Sequence, residues 1–268
     1  MRASDASAGG RRSTWVLHVA ADLEEVNLHW ADLRAAGTLG AAEVDGRTDV
    51  YFPARVPDLG LTGEWEEIPD QDWHARWRQA LTPVRAGRWT VTPSWHATGA
   101  DTELVIDPGQ AFGTGHHETT VACLRALDDL PMAGLRVLDL GTGTAVLAIA
   151  AARRGAAAVA VDVDPLAVDA AQANAARNGV RLDVRLGSIE AVDGERFDIV
   201  VANLDSATLT RLAPGLAALL SADGQLIASG VGNQRAAQVV DALRGADLEA
   251  SATTGREWAL LRARPEVA

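Results

Sequence analysis

VLDLGTGTAVLAIAA (residues 137–151), followed by AVAVDVDP (158–165), reads as strand, glycine turn, helix, strand and acid. Residues 136–140 form a strand that after Arg136 is apolar except for Asp139, and Gly141-Thr142-Gly143 follow at its carboxyl end. Missing side chains there let a ligand approach the backbone and the N-terminus of the next helix, expected over 145–154. The second strand, 158–162, ends at Asp162, about 20 residues beyond the glycines, where a carboxylate accepts hydrogen bonds from two ribose hydroxyls. Pro165 opens the following helix, 165–178, at a favourable first-turn position. A nucleoside cofactor is therefore expected in a crevice shared by Gly141, Gly143 and Asp162.

Working outward, strands are expected at 182–186, 197–202 and 225–229, with helices near 207–220 and 234–244. Two last strands, LEASATT and EWALLRAR, are joined by Gly255-Arg256. Strand–helix alternation with apolar strands predicts an α/β, doubly wound, Rossmann-like parallel sheet, with the last hairpin adding an antiparallel strand at one side. A glycine turn plus an acid also describes NAD enzymes. The dinucleotide pattern, however, wants a third small residue where bulky Val146 stands, whereas a methyltransferase pattern asks for an acid two positions before the first glycine, which Asp139 supplies. It also asks for a small residue at 145, here Ala145 rather than the usual glycine.

Two further motifs carry chemistry. FDIVVANL is an apolar strand ending in Asn203, which at a strand's carboxyl end faces the crevice of Gly141 and Asp162. Its amide can hold a substrate nitrogen; alternatively it caps the loop by bonding its own backbone. Enzymes acting on glutamine amides or adenine amines usually follow this Asn with two prolines and an aromatic, whereas Leu204-Asp205-Ser206 follow here. PGQAFGTGHHETT (108–120) precedes the first sheet strand and feeds a helix from about His117. Gly113 and Gly115 permit a tight backbone, and Thr119 and Thr120 in the first helical turn can bond a carboxylate, so a lid is expected. His116, His117 and Glu118 are consecutive, so their side chains diverge, and no metal site is expected.

The front of the chain is different. Residues 1–13 are small, polar and charged, and read as a disordered tail. Residues 14–60 read as a small α+β domain: a strand over 14–19, a helix from about Asp22 to Ala36, and strands at 41–44 and 49–52. Residues 61–100 read as a structured linker, and 101–268 as the catalytic domain. Seven of the eight tryptophans precede position 100. They are read as packing between the two lobes or, alternatively, as a partner-binding surface. A chain begun near Val91 is expected to keep every strand of the large sheet.

All 24 basic residues are arginine against 36 Asp and Glu, a net charge of -12 spread along the whole chain. A uniformly acidic surface repels a polyanion, so direct nucleic-acid binding is not expected and a basic protein is the better large partner. Mild acidity for solubility is the other reading. The single cysteine, Cys123, cannot form an internal disulfide. With no secretory h-region and no long apolar run, the chain is expected to be cytoplasmic and not membrane-bound.

AFGTGHHETT, LDLGTGTAVLAIAA, VDVDPLAV, NAARNGV and VVANL stand in an order and spacing that resemble the ribosomal protein L-eleven methyltransferase family over about Trp65 to Arg264. One departure is His116-His117-Glu118, where the family more often has Thr-His-Pro. The resemblance implies a class I methyltransferase fold, S-adenosylmethionine as cofactor, and a front unit that recognises a large-subunit ribosomal protein. It implies Thr120, Gly141, Asp162 and Asn203 as cofactor contacts. Phe112, Gly113 and Gly143 complete the expected set, and Asn203 is also the expected catalytic residue. The reaction implied is methylation of lysine and/or N-terminal amines by direct attack on the sulfonium methyl, with alignment rather than a general base doing most of the chemistry. Other readings are a methyltransferase acting on another protein, a small-molecule amine or a nucleic acid, or a cofactor-binding module without activity.

Overall fold

The computed structural model describes residues 13–21, 25–26, 29–44, 46–69, 81–107 and 117–266. The chain divides into two compact units, residues 1–81 and 82–268. The expected tail falls outside the described residues except Ser13, which already belongs to a strand.

In the first unit β1 (Ser13–Val19), α1 (Trp30–Ala35), β2 (Gly40–Val44), β3 (Arg47–Phe52) and β4 (Gly63–Pro69) build an antiparallel sheet ordered β2-β3-β1-β4. Leu17, Val19, Val26, Leu33, Val50, Phe52 and Leu59 form its core. Trp65 closes it, 5.4 Å from the Phe52 ring and 6.4 Å from Trp15. Within the stretch expected as one helix from Asp22 to Ala36, Glu25 and Val26 are helical, His29 lies in a turn and α1 spans Trp30–Ala35, while residues 22–24 and 27–28 lie outside the described residues.

β4 corrects the linker expected over 61–100. It pairs with β1 from Ser13↔Pro69 to Val19↔Gly63 and is an edge of the first sheet. The other end of that stretch belongs to the second unit, where β5 (Val84–Ala86), β6 (Trp89–Thr92) and β7 (Glu103–Val105) form a small sheet. Ala86, Trp89 and Val91 are buried against α2 (Glu118–Asp128) and α3 (Val146–Arg153) in one apolar cluster. A chain begun near Val91 would therefore lose β5 and the Trp89 anchor; the boundary lies at 81/82. Trp15, Trp65 and Trp89 thus pack inside their own units, and Trp73 and Trp77 lie outside the described residues.

The large sheet follows the expected alternation. After α2 and β8 (Arg136–Leu140) come α3, β9 (Ala157–Asp162), α4 (Pro165–Arg177), β10 (Asp183–Leu186), β11 (Phe197–Asn203) and α5 (Ser206–Leu219). β12 (Leu220–Gly232), α6 (Ala236–Arg244), β13 (Leu248–Thr254) and β14 (Trp258–Pro265) complete it. Strand order is β10-β9-β8-β11-β12-β14-β13, parallel except that β14 runs antiparallel to both neighbours. β12 starts at Leu220, directly from α5, and is longer than the 225–229 expected.

Side chains alternate between the two faces. Leu138, Leu140, Val159, Val161, Val200 and Ala202 pack with α5 and α6; Val137, Ala158, Ala160, Ile199 and Val201 pack with α2 and α3. Alternation therefore turns Asp139 and Asn203 toward the α2–α3 face. The strand order reverses direction between β8 and β11, the place where open α/β sheets hold ligands beyond their carboxyl ends.

Candidate active site

Gly141 and Gly143 follow β8 with φ of 72° and 54°, left-handed conformations that favour glycine. Two hydrogen bonds tie the turn to the next strand, as the Gly141 and Thr142 N–H groups donate to the Val161 carbonyl. The sequence assigns the bare Gly141 backbone to a ligand, but the space beside it is taken by the protein itself: a Cβ at Gly141 would lie 2.4 Å from a Leu204 methyl. Gly230 serves the same residue, since a Cβ there would lie 2.5 Å from the Leu204 carbonyl oxygen. Leu204, which follows Asn203 where amide and base methyltransferases have proline, is thus seated between two glycines that hold it at the β8–β11 junction.

The turn ends at Ala145, also left-handed (φ 64°), the N-cap of α3, with no side chain able to bond the helix. Asp139 makes up for it. Its Oδ2 accepts from the Ala148 N–H (3.0 Å), in the first turn of α3, and from the Thr142 hydroxyl (2.7 Å). This buried carboxylate joins strand, turn and helix, a role that its place in the motif does not reveal. Burial, together with the charge of Asp162, pushes its pKa up to about 6 against those two hydrogen bonds.

Asp162 ends β9 as expected. Its Oδ2 accepts from Gly143 N–H (2.9 Å) and its Oδ1 from Asp164 N–H (3.0 Å). A carboxylate has about four acceptor positions, so each oxygen keeps one for a hydroxyl. Around it stand Val163, Leu186 and Leu166, the large apolar side chains that remain exposed among the described residues, at 66%, 58% and 50%. Leu186 pairs in register with Asp162 itself. A carboxylate with spare acceptor capacity rimmed by exposed apolar groups fits a ribose carrying a flat base. The rim was missed by sequence reasoning; its signal is an apolar residue on either side of the acid, in VDVDPL, at a strand end where polar residues are the rule.

Asn203 and Thr120, 83 residues apart, meet directly: the Asn203 Nδ2 donates to Thr120 Oγ1 at 3.2 Å. The helix cap that Asn203 might have been is Asp205, which accepts from Thr208 N–H (2.9 Å) and its hydroxyl (2.7 Å). α2 is capped by His117, whose Nδ1 faces Thr119 Oγ1 at 2.7 Å and Thr119 N at 3.4 Å. Burial lowers the His117 pKa against the pull of Glu118 and Glu257, and its ring stands edge-on to Trp258 at 5.0 Å. Glu118 accepts from Arg256 N–H (3.0 Å), tying the first turn of α2 to the β13–β14 turn. Phe112 and Gly113, with the rest of 108–116, lie outside the described residues. Thr120, Gly141, Gly143, Asp162 and Asn203 lie within one unit, at or beside the carboxyl ends of the neighbouring strands β9, β8 and β11.

The sequence pattern of the family described as "Ribosomal protein L11 methyltransferase (PrmA)" matches residues 35–266. A ribosomal protein L11 methyltransferase of Thermus thermophilus is 43% identical over 251 residues, covering 92% of this chain and 98% of that protein. One from Deinococcus radiodurans is 41% identical, covering 86% and 92%. The crystal structure of a ribosomal protein L11 methylase from Lactobacillus delbrueckii superposes with a TM-score of 0.63 at 29% identity, over 69% of this chain and 99% of that one.

Proposed function

The chain belongs to the ribosomal protein L11 methyltransferase family, and we propose that it methylates lysine and/or N-terminal amines of ribosomal protein L11 at the crevice beyond β8, β9 and β11. S-adenosylmethionine is its methyl donor; when bound it supplies a methyl group on a positively charged sulfur. The observation that carries the site assignment is the Asn203–Thr120 hydrogen bond, which brings the two separately read motifs together beside the glycine turn.

In this reading Asp162 takes the ribose hydroxyls, Val163 and Leu186 give the base an apolar rim, and the Gly141–Gly143 turn borders the rest. Asn203 is the residue that addresses the substrate. With its Nδ2 engaged by Thr120, its Oδ1 is left to accept an N–H of the incoming amine and so aim the nitrogen lone pair. The amine must arrive neutral, against a lysine pKa near ~10.4. Desolvation in the crevice favours that form. Asp139 is not its proton acceptor, because the carboxylate is buried and engaged by Thr142 and Ala148.

A lone amine offers the crevice little to select, so specificity rests on area contacted elsewhere, and the first unit supplies it in this reading. Its β4 carries exposed Glu64, Glu66 and Glu67, a charge pattern suited to a basic protein. The test is incubation of the purified chain with labelled S-adenosylmethionine and, separately, unmodified L11, rRNA and bulk lysate. Label in L11 is the expected result; label in rRNA, or in another lysate protein but not L11, overturns the substrate assignment. No label anywhere, with the cofactor bound, leaves a binding module.

A further inference from the structure

The NAARNGV stretch (174–180) carries two asparagines four apart, Asn174 in the last turn of α4 and Asn178 as its C-cap, and the structure gives them an unusual task. Asn178 accepts from the Val105 N–H (2.9 Å) and donates to the Val105 carbonyl (2.8 Å). One turn earlier Asn174 does the same for Asp107, at 3.0 and 3.1 Å. Two residues of strand rise about 6.6 Å and four residues of helix about 6 Å, so a helix face can stand in for a neighbouring strand and satisfy alternate backbone groups.

Asn174 does more than its twin. It is 1% exposed, and its Nδ2 also donates to the Thr144 carbonyl at 3.1 Å, inside the glycine turn. Arg177 completes the set, donating to Asn174 Oδ1 (3.1 Å) and pairing with the Asp107 carboxylate (3.0 Å). All four hydrogen-bonding positions of the Asn174 carboxamide are therefore used. Two segments meet on this one buried group: Asp107, from which the chain runs on toward His117 and Thr120, and Thr144, between Gly143 and the left-handed Ala145.

We propose that Asn174 is a positioning residue for S-adenosylmethionine binding, setting the separation between the glycine turn at Thr144 and the end of the β7 segment at Asp107. The proposal rests on the cofactor reading above. A fully satisfied buried amide specifies one geometry, because any shift of either segment leaves a polar group unpaired. Asn178 holds Val105 and, within the helix, the Asn174 carbonyl (2.8 Å), but does not reach the glycine turn, and so contributes to the fold without fixing that turn.

The test compares full-length wild type, Asn174→Ala, Asn174→Asp and Asn178→Ala by calorimetric titration with S-adenosylmethionine, with thermal unfolding in parallel. Asn174→Ala is expected to weaken binding at least tenfold and to raise KM for the cofactor while kcat at saturation falls less than threefold. Asn178→Ala, despite a comparable loss of Tm, is expected to change Kd less than threefold. Asn174→Asp keeps the acceptor for Asp107 N–H but faces two carbonyls with lone pairs; it carries the same expectation if the alanine variant does not fold. Kd values for both Asn174 variants within threefold of wild type overturn the proposal, as does an Asn178→Ala defect equal to that of Asn174→Ala. Absence of binding by the wild type would instead overturn the cofactor reading itself.

Discussion

In the second unit Asp139, Asp162, Asp164 and Asp205 all turn to backbone N–H groups at strand ends and first helical turns, at 2.9–3.0 Å. In the first unit Asp49, Glu64, Glu66 and Glu67 lie along strands instead. Asp49 and Glu66 flank His18, at 2.6 and 3.1 Å, Arg47 joins Asp49, and Glu64, Glu66 and Glu67 are exposed on β4. Carboxylates that saturate backbone donors shape a cavity and are lost to long-range electrostatics only in part, whereas those on an open strand mainly set the field a partner meets. The same residue type thus builds a site in one unit and a surface in the other.

The hardest test of this contrast is to separate the units. A chain beginning at Thr82 keeps β5 and Trp89, and should bind S-adenosylmethionine within a few-fold of the intact protein while losing ~100-fold or more in methyl transfer to L11, with intact-enzyme recognition weakened by salt. Transfer rates at equal cofactor saturation check it; an unchanged rate on L11 removes the first unit from recognition. Next in size, Asn203→Ala should cut turnover by ~10²-fold, the range for a lost aligning hydrogen bond, with little loss of stability. Normal turnover would reduce Asn203 to a prop for Thr120.

Asp162→Ala should cost about 1.5–3 kcal/mol of cofactor affinity, the loss expected for bonds to a carboxylate; calorimetry showing unchanged affinity would remove the ribose assignment. Asp139 should act on stability instead. Asp139→Ala orphans the Ala148 N–H and should lower unfolding free energy by about 1–3 kcal/mol, whereas Asp139→Asn keeps an acceptor there and should lose less. The pH dependence has a definite sign. With a folded pKa of about 6 above the ordinary 3.8, the folded state holds a proton that the unfolded chain has released. Stability should therefore fall as pH rises through that window and level off above it, and Asp139→Asn should flatten the profile in denaturant titrations. The smallest effect is expected at Ala145, where glycine relieves a left-handed φ worth roughly 1–2 kcal/mol but forfeits a buried methyl and adds unfolded-state entropy. Ala145→Gly should stay within ~1 kcal/mol of wild type. Ala148→Gly, in the helix itself, should cost ~1 kcal/mol or more, and equal losses at the two positions would show that Ala145 is not strained.

What the sequence disclosed follows the same division. Buried parallel strands are largely apolar runs, so β8, β9 and β11 and their helices could be read within a residue or two. β4 could not: an edge strand bears glutamates that guard it, and GEWEEIP shows no clean alternation. β5 and β7, three residues each, are too short to show a period. At the candidate site, the placement of Gly141, Gly143, Asp162, Asn203 and Thr120 was legible because each lies at a strand end, in the turn after one or in a first helical turn. The Asp139–Ala148 and Asn174–Thr144 bonds were not, since a side chain nine or thirty residues away leaves no local pattern.

β14 is made after β13 yet lies inside it, hydrogen-bonded to β12 on one side and β13 on the other. During synthesis the sheet must wait with β12 as a bare edge until residues 258–265 emerge, and β13 has no partner in the sheet before then. The turn between these two strands also receives Glu118 from the first turn of α2, the helix that presents Thr120. Completion of the crevice is thereby coupled to translation of the last strand: a nascent or prematurely terminated polypeptide ending before β14 carries every motif of the site but not the framework that sets them.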